Sequence, residues 1–421
     1  MTDPTSTPTM VNPDLEPQEP SRWAVAWRDI VSGSPLRTLL AIVLAFAVGA
    51  VLIVITNPDF LEAVGYIFSR PSDAITAAVN AVVDGYGALF RGSILNLQGD
   101  TFAEIIRPLT ETLRLATPLI AAGLGIALSF RVGMFNIGGQ GQLLFGAGFA
   151  GFVSFHADLP FPLHLLLAIV AGILGAALYG ALVGLLKAKT GANEVIVTIM
   201  LNYIAFYLLT YLMRTPVLQD PGAGGTPKTP APDASARLPL LFGDSFALHW
   251  GFVLVIGATV LFWWLMERST LGYRFRAVGL NPSAALTAGI NVNSIYILAM
   301  GLSAAFVGLA GVIQALGRTS GFTPTVDAGI GFDAITVALL GGSSAGGVFL
   351  AGLLFGAMKA GGPSMQVADV PPELLGVVQG LIVLLIAAPP LVRAIFRLPS
   401  PSATTAGSRR SRRAAKKGGV K

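Results

Sequence analysis

The sequence predicts an all-α polytopic membrane protein with about ten transmembrane helices, some broken or re-entrant, and two loosely related halves. Of its 421 residues, 53% are hydrophobic and only 12% are charged, against about 25% charged in a soluble domain. Apolar runs recur along the chain, and most approach the roughly 20 residues that a helix needs to cross a bilayer. Glycine-rich breaks at residues 138–146 and 341–347 interrupt this pattern at comparable positions in the two halves.

The chain begins with residues 1–20, a polar, proline-rich tail with too little apolar surface to fold. Residues 21–37 carry Trp and Arg and predict an interfacial helix before the first span at 38–55. Residues 56–111 predict an extracytoplasmic segment, in which apolar positions recur at helical spacing after Pro71. This segment predicts a helix on the outer surface, and a solvated loop helix is the alternative.

Nine further spans make up the core, which covers residues 112–395. They are predicted at residues 112–130, 138–155, 163–186, 194–213, 248–266, 292–316, 328–340, 348–359 and 374–389. With the N-terminus in the cytoplasm, 18 of the 27 Lys and Arg residues lie on the inner side, which favours two cytoplasmic termini. The basic tail at 396–421 then lies beside the membrane, and attraction to anionic lipid is a simpler explanation for its charge than nucleic-acid binding.

Several chemistries find no support in the sequence. Without cysteine there is neither a disulfide nor a thiolate metal site, and the three dispersed histidines predict no metal cluster. The phosphate-binding loop of nucleotide hydrolases is missing, as are the motifs of zinc proteases and serine hydrolases. We therefore expect no cofactor, no metal and no enzymatic activity, and expect any ATP hydrolysis to occur on a separate subunit.

A glycine-rich stretch at residues 130–146 carries three amide side chains, those of Asn136, Gln140 and Gln142. Irregular backbone within a bilayer persists only when it is packed in protein or lines a polar cavity. The stretch therefore predicts part of a path for a small polar solute. A tight helix-packing seam, in which glycine lets backbones approach, explains it equally well.

The span that starts at Glu194 carries a second polar pattern. Glu194, Thr198 and Asn202 lie on one helical face, at i, i+4 and i+8, and that face should point into the bundle. These residues are further pathway candidates. Helix capping is the alternative for Glu194, and hydrogen bonding between helices is the alternative for the other two. Four weaker candidates are Gln314, Asp327, Asp333 and Gln379.

The polar, basic connection at residues 267–291 is too long for a tight turn. Asn281-Pro282-Ser283 is a helix-start signal, and a short helix should follow it. A basic helical loop on the cytoplasmic side is a docking handle for a motor subunit, with an interfacial helix as the alternative.

At four segments, residues 130–142, 192–205, 271–290 and 329–362, the sequence resembles the permease subunit of an ATP-binding-cassette (ABC) importer. The resemblance is to the branched-chain amino acid and simple-sugar permease superfamily, and within it to the nucleoside-uptake type. It implies a multi-pass protein of the bacterial inner membrane that transports nucleosides. It also implies three partners, which are a second homologous permease subunit, an ABC ATPase and an extracytoplasmic solute-binding lipoprotein.

The loop at 271–290 matches the family's coupling helix. The resemblance implies that its ATPase-coupling residues are Arg274, Arg276, Gly279, Asn281, Pro282, Ala284, Ala285 and Gly289. A pentose or hexose permease is the alternative within the family, and an ion-coupled secondary transporter that works alone is the alternative outside it. A membrane enzyme is disfavoured, because no acid–base constellation accompanies the spans.

Overall fold

The computed structural model describes residues 34–243, 245–388, 391–392 and 395–396. Within these ranges the regular structure is helical apart from one isolated bridge between Leu240 and His249, so the all-α part of the predicted fold class is confirmed. The two loosely related halves stay a prediction. The predicted tail at 1–20, nearly all of the predicted interfacial helix and the basic tail lie outside the described residues.

Fourteen α-helices and three short 3-10 turns follow one another in the described ranges. The α-helices are α1 (Ser34–Thr56), α2 (Pro58–Val64), α3 (Pro71–Ser93), α4 (Phe102–Arg131), α5 (Gly139–His156), α6 (Leu163–Thr190), α7 (Glu194–Leu212), α8 (Gly251–Arg268), α9 (Thr270–Leu280), α10 (Pro282–Thr287), α11 (Val292–Leu316), α12 (Ile330–Leu340), α13 (Ala345–Val367) and α14 (Glu373–Ala387). The 3-10 turns are Pro221–Ala223, Ala234–Ala236 and Pro324–Asp327.

The chain divides into two compact units. One comprises residues 1–44 and 388–421, and its described part is the first half of α1 with a few residues near the other end of the chain. The other comprises Ala45–Ala387 and contains every helix from α2 to α14. The candidate site lies entirely within this second unit.

Seven helices in the described ranges are long and apolar enough to cross a membrane, namely α1, α4, α6, α7, α8, α11 and α13. Each coincides with a predicted span, so the chain is a multi-pass membrane protein. The other three predicted spans correspond to glycine-rich α5 and to the shorter α12 and α14. The count of ten therefore stays a prediction.

Two helices extend beyond the predicted spans because their charged residues are paired. The prediction began one span at residue 112, whereas α4 begins at Phe102 behind a Thr101 cap, and Glu111 pairs with Arg114 on its third and fourth turns. The prediction ended another span at 359, whereas α13 continues to Val367. There Lys359 Nζ lies 2.7 Å from Asp333 Oδ2.

Helices α4 and α11 form the centre of the bundle and are the most buried of the candidate spans. Helix α6 packs on α11 through the small residues that recur every fourth position. Gly180 contacts Met300 and Ala304, and Gly172 contacts Val312. In the sequence, glycine or alanine at every fourth position from 172 to 184 predicts a stripe for close helix packing. The structure confirms this packing role, since a side chain at Gly172 or Gly180 would collide with α11.

Helix α3, in the predicted outer segment, also packs by its small residues. Ala81, Gly85 and Ala88 are buried, and Gly92 lies against Ser364 of α13. Four of the apolar positions that predict the helix, Ile75, Val79, Val83 and Phe90, are exposed, whereas Tyr86 packs on Phe46. Amphipathic spacing thus located the helix correctly, but small residues make most of its contacts.

Candidate functional site

The irregular segment between α4 and α5, residues 132–138, starts with a left-handed turn at Gly133 (φ +75°). Asn136 is fully buried in it. Asn136 Nδ2 donates to Gln142 Oε1 at 3.0 Å, and Gln142 Nε2 donates back to Asn136 Oδ1 at 3.1 Å. Asn136 Nδ2 also donates to Ser303 Oγ of α11 at 2.9 Å, and Asn136 Oδ1 accepts from Gly138 N at 3.0 Å. A closed pair of amides therefore joins the break to α5 and α11.

Asn202 of α7 holds the same break from the other side. Its Nδ2 donates to Ile137 O at 2.9 Å, and its Oδ1 accepts from Gly141 N at 2.8 Å. The Ile137 carbonyl in the break and the Gly141 N–H in the first turn of α5 thus find partners, as buried backbone in a membrane must. We call Asn136, Gln142, Asn202 and Ser303 the amide network.

The two other predicted residues of α7 lie on the same buried side. Thr198 is fully buried, and its hydroxyl donates only to its own helix, to Glu194 O at 2.7 Å and Val195 O at 3.0 Å. The Glu194 carboxylate binds Lys187 Nζ at 2.6 Å. The predicted inward direction of this face is confirmed, and its polar groups have partners within the protein.

Gln140 is the exception among the predicted amides. Its side chain is half-buried and makes no hydrogen bond in the described part of the chain. Its backbone nitrogen lies so close to Gly331 of α12 that a Cβ at Gly331 would overlap it. Gln140 therefore offers a free amide where α5 and α12 cross.

The start of α12 is held by Asp327, which accepts from Gly329 N at 3.1 Å and from Gly331 N at 2.9 Å. Burial raises the pKa of Asp327, against the lowering effect of these two bonds. Gln314 donates to Val326 O at 3.2 Å. These two weaker candidates thus shape the segment that precedes α12.

Two neighbouring cavities lie beside Arg114 of α4. Arg114 is seventeen residues before Arg131, the last residue of α4, so the cavities lie about 25 Å from that end of the helix. The larger, of about 730 Å³, lies among α3, α4 and α13, and the smaller, of about 130 Å³, reaches Ile330 at the start of α12. Arg114 and Lys359 line both. The smaller cavity therefore adjoins the larger one and reaches Ile330, the neighbour of Gly331, on which Gln140 packs.

Basic side chains line the smaller cavity, and two of them are paired with carboxylates, Arg114 with Glu111 and Lys359 with Asp333. Arg114, Arg318 and Lys359 line it beside His249. Burial, together with Arg114, lowers the pKa of His249 to about 4 and lowers the pKa of Arg318. His249 is therefore neutral at pH 7, and the cavity presents cationic hydrogen-bond donors to whatever enters it.

A second polar group, the ionic cluster, lies at the other end of α4. Arg131 Nη2 lies 3.0 Å from Glu267 Oε1, and Arg276 Nη1 lies 3.7 Å from Glu267 Oε2. Arg131 Nε donates to Ser343 O at 3.0 Å. Two arginines thus share one carboxylate, and the buried Nη1 of Arg276 has no hydrogen-bond partner among the described residues. The cluster consists of Arg131, Glu267, Arg276 and Ser343.

The loop with the predicted coupling residues is more helical than expected. The first part of the predicted polar, basic connection forms α9, for which no helix is predicted, and the predicted short helix is α10. Asn281 caps α10 by accepting from Ala284 N at 3.0 Å, and Pro282 is its first residue. Gly279 packs so closely on the Arg131 carbonyl that a Cβ there would overlap it.

Five of the eight predicted coupling residues are exposed, Gly289 among them. Ala285 is buried and Gly289 turns the chain with φ +81°, whereas Arg276 and Gly279 are half-buried against the bundle. The other exposed members are Arg274, Asn281, Pro282 and Ala284. The loop therefore combines an inner side fixed to α4 with an outer side open to a partner.

Sequence reasoning identified the amides but missed their partners and the ionic cluster. Ser303 is a hydroxyl near the middle of an apolar span, which is a usable signal for an internal hydrogen bond. Arg131 and Glu267 follow predicted spans; Arg131 counts in the sequence only as a marker of orientation, and Glu267 only as the start of the polar connection at 267–291. Their pairing connects positions 136 residues apart, which no local pattern predicts.

Comparison with known proteins adds a family match. The family model described as branched-chain amino acid transport system / permease component matches residues 109–387. The guanosine ABC transporter permease protein NupP of Bacillus subtilis is 36% identical over 85% of this chain and 94% of its own length. The glucose ABC transporter permease protein TsgB13 of Haloferax volcanii is 34% identical over 87% of this chain and 89% of its own.

A third relative is the nucleoside ABC transporter permease protein NupB of Lactococcus lactis, 36% identical over 67% of this chain and 79% of its own length. Each of these three organisms has a second permease protein among the matches. In Bacillus subtilis it is the guanosine permease protein NupQ, and in Lactococcus lactis it is the nucleoside permease protein NupC. No solved structure matches the chain. The amide network, the ionic cluster, helices α5 to α14 and all but the first seven residues of α4 fall within the matched range of the family model.

Proposed function

Because the chain belongs to the branched-chain amino acid transport system / permease component family, we propose that it is the permease subunit of an ABC importer for nucleosides. The observation that supports this most is the agreement between sequence and named relatives. NupP and NupB, named for guanosine and nucleoside transport, are each 36% identical to the chain. The chain also covers nearly the full length of NupP.

A second candidate substrate is a simple sugar. The glucose permease protein TsgB13 is 34% identical over almost the same share of the chain. Nucleosides contain a ribose or deoxyribose, so both substrate classes present hydroxyl groups to the path. The nucleoside assignment is preferred because two separately named nucleoside-type relatives exceed the glucose relative in identity.

The proposed complex has further subunits. A second homologous permease pairs with this chain, an ABC ATPase hydrolyses ATP, and an extracytoplasmic solute-binding lipoprotein delivers the solute. The matches to NupQ and NupC support the pairing, since each shares its organism and printed activity with another match. We place the complex in the bacterial inner membrane, with ten crossings, two related halves, both termini in the cytoplasm and residues 56–111 outside.

The ATPase docks on the exposed side of α9 and α10, at Arg274, Asn281, Pro282 and Ala284. Motion of this loop reaches the bundle through two contacts on its inner side. Gly279 presses on the Arg131 carbonyl, and Arg276 shares Glu267 with the Arg131 side chain. Arg131 in turn holds Ser343 in the second glycine-rich break. One push on the loop therefore acts on the ends of α4 and α12 together.

The solute enters through the two cavities beside α3, α4 and α13. Arg114, Lys359 and Gln314 line the smaller one and offer donors to hydroxyl and carbonyl oxygens. Its floor at Ile330 is next to Gly331, on which Gln140 packs. Of the predicted pathway residues, we therefore assign direct solute contact to Gln140. The other predicted pathway residues, which are Asn136, Gln142, Glu194, Thr198 and Asn202, form the wall behind it.

The proposal is tested by uptake in vesicles that hold the chain together with the proteins encoded beside it. Wild-type complex should accumulate guanosine or another nucleoside only with ATP, and should prefer it to glucose. A preference for glucose would favour the sugar candidate. Uphill uptake by the isolated chain driven by an ion gradient would overturn the proposal in favour of a secondary transporter.

The coupling assignment has its own variants. Replacing both Pro282 and Ala284 with glutamate should abolish co-purification of the ATPase while the chain stays folded and inserted. Gly346→Ala is the control, because nothing lies within 4 Å of a Cβ at that position. Unchanged transport in the double variant would contradict docking at α10.

A further inference from the structure

The exposed face of α7 differs from its buried face in an unexpected way. Its buried side carries Thr198 and Asn202. Its opposite side carries tyrosines at i, i+4 and i+8, namely Tyr203, Tyr207 and Tyr211, which are 59%, 66% and 65% exposed. None of the three hydroxyls has a hydrogen-bond partner in the described part of the chain. Three polar groups therefore point away from the bundle.

Tyr203 is the central residue of α7, nine positions from Glu194 and nine from Leu212. The helix is about 28 Å long, close to the roughly 30 Å hydrocarbon thickness of a bilayer. Tyrosine is common at the two membrane surfaces, where its hydroxyl reaches water. In the middle of a span the hydroxyl has no such access, and hydrocarbon offers it no partner.

The neighbouring helix α6 shows what a lipid-facing surface looks like in this protein. Its exposed residues between 163 and 185 are all leucine or valine, and Leu178 is 72% exposed. Such a face needs nothing but lipid. The tyrosine face of α7 has a similar exposure but requires hydrogen-bond partners, so lipid does not satisfy it.

We propose that the tyrosine face of α7, formed by Tyr203, Tyr207 and Tyr211, is the contact surface for the second, related permease chain. This inference rests on the proposed function, which supplies that partner. The partner is expected to present backbone carbonyls or polar side chains at the height of Tyr203. Interhelical hydrogen bonds of this kind hold membrane helices together where the hydrophobic effect does not.

A groove beside this face fits the same partner. It has a volume of about 360 Å³, lies between α5 and α7, and is lined entirely by apolar residues together with a glycine. Phe145 and Phe149 form its wall on α5, and Leu208 and Leu212 form its wall on α7. An aliphatic side chain of the partner enters the groove while the tyrosines bind its polar groups.

Photo-crosslinking in the native membrane tests the proposal. A benzophenone amino acid is encoded in place of Tyr203 in one variant and in place of Leu178 in the control, and mass spectrometry identifies the products. From position 203 we expect a product that contains a second, distinct permease of the same family. From position 178 we expect no protein product, because lipid covers α6.

Three results would overturn the assignment. They are lipid adducts alone at position 203, a product that contains only this chain, and capture of the second permease from position 178 rather than 203. Wild-type complex is purified in parallel. If the purified complex lacks the second permease, the proposed function fails. If the complex contains the second permease but position 203 does not crosslink to it, only the assignment of the tyrosine face fails.

Removal of single hydroxyls gives a second measurement. Tyr203→Phe should weaken association of the two permeases about threefold to tenfold, as interhelical hydrogen bonds in membranes do. Tyr211→Phe, at the end of the helix, should have a smaller effect because water reaches that position. Equal association for wild type and Tyr203→Phe would contradict a hydrogen-bonded role.

Discussion

The ionic cluster and the amide network hold the two ends of the irregular segment between α4 and α5, yet they are built in opposite ways. The amide network is buried, neutral and closed, since Asn136 and Gln142 bind each other and Asn202 takes up backbone groups on both sides. The ionic cluster is half-exposed and incomplete, since Arg131 and Arg276 share the single carboxylate of Glu267.

This difference indicates which part of the break is fixed and which part moves. Unpairing a buried amide leaves several groups without partners, and each costs about 1–3 kcal/mol. Unpairing a half-exposed ion pair costs about 1 kcal/mol or less, because water replaces the partner. We infer that movement of the coupling loop rearranges the ionic cluster and leaves the amide network intact.

The largest effect is expected for Asn136→Leu. The substitution removes partners of Gln142, Ser303 and the Gly138 N–H at once, so it should destabilise the protein by about 3–5 kcal/mol. Thermal unfolding in detergent and the yield of folded protein measure this loss. Gln140→Leu is the control, since its amide has no partner to lose, and it should reduce transport without lowering stability. An Asn136→Leu protein as stable as wild type would contradict the inference that the amide network is the fixed part of the site.

The next effect is expected for Gly279→Ala, at the contact between α9 and the end of α4. The new Cβ overlaps the Arg131 carbonyl, and overpacking of this kind costs about 1–3 kcal/mol. The strain can be relieved by moving α9, so transport should fall more than stability does. Uptake and melting temperature are measured together. Gly346→Ala, in open space, should change neither, and an equally neutral Gly279→Ala would show that the contact is not required.

The sequence predicted the bundle well because membranes impose a simple rule on it. Backbone groups must be paired within the span, so apolar runs gave the seven long helices, and the glycine stripe of α6 gave its packing face. Both large errors in helix ends arose at charged residues, Glu111 and Lys359. Their partners, Arg114 and Asp333, neutralise them, and charge alone had marked them as span ends.

The candidate site was only partly predictable for a different reason. Residue type and spacing located Asn136, Gln142 and Asn202, because amides in an apolar span must find partners. Which partners they find depends on how distant helices pack, as with Ser303 on α11. Arg131 and Glu267 meet only after α4 and α8 are placed side by side. The exposed tyrosines were visible in the sequence, but their direction was not.

A smaller effect on stability, but a large one on coupling, is expected for Glu267→Gln. Loss of the shared carboxylate should change stability by about 1 kcal/mol or less and leave Arg131 and Arg276 to repel each other. Transport per ATP hydrolysed should fall about tenfold, while the ATPase still binds and hydrolyses ATP. Glu267→Asp should recover part of the loss, whereas a merely structural role predicts equal losses of transport and assembly.

The smallest effect is expected for Thr198→Ala. This variant tests whether the stabilising role on α7 is limited to Asn202 of the amide network. Its hydroxyl bonds only to the carbonyls of Glu194 and Val195 in its own helix, and bonds of this type contribute little to helix stability. Stability should therefore change by about 0.5–1 kcal/mol, mostly from lost packing. Asn202→Ala, which unpairs Ile137 O and Gly141 N, should cost several times more in the same unfolding measurement. If the two variants lose the same free energy of unfolding, burial rather than hydrogen bonding to the break makes this face of α7 important. The distinction between a fixed amide network and a movable ionic cluster would then lose its physical basis.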